Sequence, residues 1–141
     1  MNTSDNQKLN SIYTLLKIVF GVVPIVAGLD KFTDLLTNWD MYLSPVMARL
    51  LPFSPHTFMM IVGVIEIAAG ILVLAKPRIG SIVVSVWLVC IALNLLISGH
   101  FLDVAVRDLV MAIGAFTLSR VADLVEEPEE AHAKNLAGMK A

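Results

Sequence analysis

Apolar residues fall into four nearly continuous runs, at 12 to 29, 58 to 75, 79 to 97 and about 104 to 121. Each is close to the roughly 20 residues that carry a helix across a ~30 Å hydrocarbon core. The pattern predicts an all-α membrane protein, a four-transmembrane-helix antiparallel bundle. The second and third runs are separated only by Lys76, Pro77 and Arg78, a link that forces a helical hairpin. The one long connection, residues 38 to 57, contains Ser44-Pro45, an N-cap followed by proline at the first helical position, and Pro52 as a stop. A short interfacial helix over 45 to 51 is predicted there, with Trp39, Tyr42 and Phe53 in the headgroup zone.

Within the runs, the exceptions to apolarity carry the information. Pro24 lies between Gly21 and Gly28 in the first run, where glycines permit close helix approach and proline often kinks the axis. Lys17 can snorkel to the nearer surface. After Asp30-Lys31 the residues Phe32, Leu35, Leu36 and Trp39 continue a helical spacing, so the first helix is expected to protrude beyond the bilayer. Ser98-Gly99 reads as the stop of the third span and Asp103 as the N-cap of the fourth. Boundaries follow: a polar segment at 1–11, the four-helix domain at 12–121, and an acidic, proline-broken tail at 122–141 expected to be disordered.

Composition narrows the class. The chain is 57% hydrophobic with a net charge of -2 and a mean hydropathy of +0.81, too apolar for a soluble domain of 141 residues. Near-balanced charge gives no nucleic-acid signature. The single cysteine, Cys90, excludes an internal disulfide and a CxxC framework, and no metal-ligating cluster or phosphate loop occurs. The first span lacks a small-residue cleavage site and reads as retained, not as a signal peptide. Lys8, Lys17, Lys76, Arg78 and Arg120 fall on one side and Lys31, Arg49 and Arg107 on the other, which puts both termini in the cytoplasm.

The candidate chemistry centres on Glu66, about 12 Å from either end of its run at ~1.5 Å per residue. A carboxylate at that depth costs at least ~2–3 kcal/mol and calls for a partner. Its helical neighbours Val62, Gly63, Ala69 and Gly70 form a mostly small face, so Glu66 should point into the bundle. Lys31 and Arg107 are the cations that can approach it, with Asp30, Asn94 and Asp108 in the same outer half. Asp103 competes for Arg107 at a spacing of four. These residues are candidates for a ligand site or, alternatively, for a purely structural ion pair that fixes helix register. Asn94 by itself is more often interhelical glue than a ligand contact.

The stretches Gly21-Val-Val-Pro-Ile-Val-Ala-Gly28-Leu-Asp-Lys31 and Gly63-Val-Ile-Glu66-Ile-Ala-Ala-Gly70, with Arg107-Asp108 opening the fourth span, resemble the DoxX family of small bacterial inner-membrane proteins. The resemblance covers roughly residues 12 to 121. It implies a four-helix inner-membrane bundle whose lysine, glutamate and arginine form a characteristic polar set, and an association with redox complexes. Three readings stay open: a module holding a small hydrophobic ligand such as a quinone for a redox partner protein, a subunit of a quinone-linked oxidoreductase for reduced sulfur compounds, and a membrane anchor or assembly factor. Beyond the lipid bilayer, homo-oligomers are left open by the small-residue stripes at Ser81/Ser85 and Ala112/Ala115/Ser119.

Overall fold

A computed structural model describes residues 2–140, and among them every regular element is helical. Five helices follow in order: α1 (Thr3–Asp30), α2 (Pro45–Leu50), α3 (Pro55–Ala75), α4 (Pro77–Ser98) and α5 (Leu102–Lys140), with a 3₁₀ turn at Trp39–Tyr42. Three of them, α1, α3 and α4, are long and apolar enough to cross a membrane. At ~1.5 Å per residue, the 21 residues of α3 and 22 of α4 give about 31–33 Å, matching a hydrocarbon core.

Caps set the boundaries. Asn2 accepts from the backbone N–H of Asp5, so the polar N-terminal residues form the first turns of α1. Ser44 and Ser54 cap α2 and α3 by accepting from Met47 and Thr57, each with proline at the first position. Gly99, at φ +70, ends α4 in the left-handed conformation that glycine adopts without steric cost.

Two expectations from the sequence are corrected. The first helix does not continue through Trp39: α1 stops at Asp30, whose carboxylate accepts from the N–H groups of Leu35 and Leu36 and folds the chain back on itself. A local side-chain acceptor outcompetes the helical spacing of Leu35 and Leu36, which end largely exposed. The segment after residue 121 is helix through Lys140, not disordered. Its first turns are held by Tyr13, which donates to Glu126, and by Arg78, whose Nε lies 2.6 Å from Asp123. Beyond Pro128, Ala131, Ala133, Lys134, Leu136 and Ala137 are good helix formers that need no tertiary partner to favour the conformation.

The helices meet through small side chains. On α1, Gly21 faces Gly70 of α3 and Gly28 faces Gly63, so the two run in opposite directions at backbone-contact distance. A Cβ on Gly28 would stand 2.5 Å from the Gly63 carbonyl oxygen, and one on Gly70 would collide with the Gly21 carbonyl. Ser85 of α4 donates to the Ala112 carbonyl of α5 at 2.7 Å, and Ala92, Leu95 and Ala105 form a second contact between these helices. The buried set is rich in Gly, Ala and Ser. The exposed set includes Leu15, Ile18, Val22, Val23 and Val26 on α1, and Ile79, Val86, Val106, Val110 and Ile113 on α4 and α5. Large aliphatics outside and small residues inside is the distribution that suits helices solvated by hydrocarbon.

Gly70→Leu is therefore expected to destabilise the fold by about 2–3 kcal/mol or more, because backbone, not a flexible side chain, occupies the space. Gly138→Leu, where nothing lies within 4 Å, should be near neutral. Thermal unfolding in detergent micelles measures both.

Candidate functional site

The site forms where α1 ends against the middle of α3. Lys31 caps α1, and its Cβ lies 3.2 Å from where a side chain on Gly63 would begin. The absent side chain at Gly63 lets the lysine stem cross α3 and reach Glu66 one turn further on. The ammonium donates to Glu66 Oε2 at 2.7 Å, with the lysine 4% and the glutamate 7% exposed. A charge-assisted contact of this length is the usual way membrane-depth charges are tolerated.

Two tryptophans complete the pair. The Lys31 ammonium lies 3.6 Å from the centroid of the Trp39 ring, a cation–π contact worth ~2 kcal/mol where water is excluded. The Trp39 indole N–H donates to Asp30 Oδ2 at 2.7 Å, which fixes the ring over the lysine. From α4, the Trp87 indole N–H points at Glu66 Oε1 across 3.5 Å, long for a hydrogen bond but correctly directed. Asp108 of α5 is also buried, at 7% exposed. The site thus draws on the end of α1, the 3₁₀ turn that follows it, α3 and α4.

The sequence candidates separate into three groups. Lys31 and Glu66 come together, and Asp108 is buried on α5. Asp30 is beside them, but its carboxylate is consumed by Thr33, Leu35, Leu36 and Trp39, so it organises the turn. Asn94 accepts from the Ser44 N–H and donates to the Tyr42 carbonyl, tying the long connection to α4 instead of facing Glu66. Arg107 does not approach Glu66: its side chain is 74% exposed and its guanidinium lies 3.8 Å from Asp103. The competing partner at a spacing of four takes it, because α5 turns Asp108 inward and Arg107, one residue earlier, outward.

The tryptophans are the members that sequence reasoning missed. Trp39 was expected in the headgroup zone, and only the fold-back after Asp30 brings it over Lys31. Trp87 was legible in principle. Glu66 lies ten residues before Lys76 and Trp87 ten after Pro77, and residues equidistant from a hairpin turn share a depth.

At the opposite end, Arg78 gathers Asp123, Glu126 and Glu127 while Tyr13 reaches the same Glu126. Between α3 and α4 an apolar groove of about 300 Å³ is lined by Ile65, Ala69, Ile82, Val83, Val86, Trp87 and Cys90. The described residues hold no cluster of three or more metal-ligating side chains. No family model, curated protein or solved structure matches the chain.

Removing one partner of a buried pair leaves an uncompensated charge, so Lys31→Met should cost about 3–5 kcal/mol. The double variant Lys31→Met/Glu66→Gln should recover part of that loss. Arg107→Gln, on an exposed pair, should change stability by no more than ~0.5 kcal/mol. Thermal unfolding of the four proteins in one detergent makes the comparison.

Proposed function

We propose that the chain is an integral membrane protein, a four-span antiparallel bundle of DoxX type in which α5 provides the fourth crossing and α2 lies at the interface. In this reading both termini and the Arg78 cluster are cytoplasmic in a bacterial inner membrane, and the Lys31–Glu66 cluster opens towards the outer face. The protein acts as a membrane module of a redox system, and the cluster holds a small hydrophobic ligand such as a quinone for a partner protein. One observation carries this reading: two oppositely charged side chains from the end of α1 and the middle of α3, 4% and 7% exposed, pair at 2.7 Å among apolar residues with an indole ring at each. Intramembrane ionisable groups are expensive and mark ligand or proton sites by default. The two indole rings at the cluster add flat apolar surface of the kind that lines small-molecule sites.

A second reading has its own support. Lys31 and Glu66 satisfy each other at 2.7 Å, which suits an ion pair that specifies packing in an anchor or assembly factor. Lipid extraction and mass spectrometry of the purified protein separate the two. The ligand reading expects quinone to co-purify with wild type and to fall about tenfold in Glu66→Gln, the effect of roughly 1.4 kcal/mol. Absence of quinone from both proteins, with only the thermal stability of Glu66→Gln altered, establishes the structural reading.

A further inference from the structure

The turn that carries Trp39 over Lys31 is anchored at its two ends and lightly held between them. At one end the Trp39 indole donates to Asp30 at 2.7 Å. At the other, the Tyr42 carbonyl accepts from Asn94 at 2.9 Å, and the Tyr42 ring packs on Phe101 with centroids 4.6 Å apart. None of the four residues of the turn is buried. Asp40 lies between the anchors, and its Oδ1 is shut off from solvent with no hydrogen-bond partner among the described residues. The atom that faces this oxygen is His56 Nδ1, 3.6 Å away in the first turn of α3. A buried acceptor gains from a donor, and a protonated imidazole supplies one at both of its nitrogens. A neutral ring presents Nδ1 either as a lone pair, which repels the carboxylate, or as an uncharged N–H.

We propose that His56 and Asp40 form a proton-dependent latch on this turn. It holds Trp39 closed over Lys31 while His56 is charged and loosens when His56 is neutral. The inference concerns the access of water to the Lys31–Glu66 pair and does not depend on a ligand binding there. A histidine that gains a carboxylate partner contributes stability at low pH and loses it as pH rises through its titration range. Asp40 is the charged group that faces His56 directly. The other charges at this end are already answered: Asp30 by Leu35, Leu36 and Trp39, Lys31 by Glu66, and Asp34 by the Trp39 N–H. The N-terminus of α3 opposes a cation at its second residue, so Asp40 is what favours the charged ring there. Both side chains are partly exposed, 48% and 35%, which makes the contact weak enough to open.

Acrylamide, a quencher confined to water, reads the exposure of Trp39 in the full-length protein in detergent micelles. Trp87→Phe removes the other indole of the chain, and the series is repeated with Trp87 in place so that the result stands apart from that substitution. The quenching constant is expected to rise about twofold from about pH 5 to pH 8, the size of effect that an exposed ion pair gives. His56→Gln and Asp40→Asn should each hold it at the higher value throughout. His56→Lys, which keeps its charge over this range, should hold it at the lower value. Equal quenching at the two ends of the range overturns the inference. A rise that persists in His56→Gln belongs to another group and overturns the assignment to His56. Quenching of His56→Lys at the level of His56→Gln overturns charge as the cause.

Discussion

The contact between the Lys31 ammonium and the Glu66 carboxylate is the constraint around which the protein is arranged. Neither charge is stable alone in an apolar interior, and the two meet only if α1 and α3 approach within backbone distance. Gly28 and Gly63 permit that approach, and Gly63 also clears the path along which the lysine stem crosses α3. The glycine face and the ion pair therefore support each other. Bulk at the interface would separate the charges, and loss of either charge would strand the other among packed side chains.

The same economy of space runs through the remaining interfaces. Ala69, Ala92, Ala105, Ala112, Ala115, Ser81 and Ser119 are buried, while leucine, isoleucine and valine cover the outside. In water this would be an inverted protein. In hydrocarbon, where lipid tails solvate Leu as well as another Leu would, small residues inside bring backbones together and large ones face outward at no cost. The polar groups then collect at two levels. One is the cluster at the end of α1. The other is the Arg78 cluster, which ties the start of α4 to α5 and clamps the first turns of the charged extension.

Lys31, Glu66, Asp30 and the two tryptophans form a set whose members answer one another, and such a set holds helices in register.

The four runs of apolar residues, the hairpin at Lys76–Arg78, the caps at Ser44 and Gly99, and the inward direction of Glu66 were all readable from residue order. Each depends on local spacing or on the few residues flanking it. The partner of Glu66 was not decided that way. Lys31 and Arg107 were both within reach along the chain, and rotation about the α5 axis chose between them by turning Asp108 in and Arg107 out. The fold-back after Asp30 also escaped, because Leu35, Leu36 and Trp39 keep helical spacing while a single carboxylate captures their backbone and indole N–H groups. Periodicity along a helix specifies which residues share a face. Only the packed structure specifies what that face meets, since the outcome turns on distances between segments that no local pattern encodes.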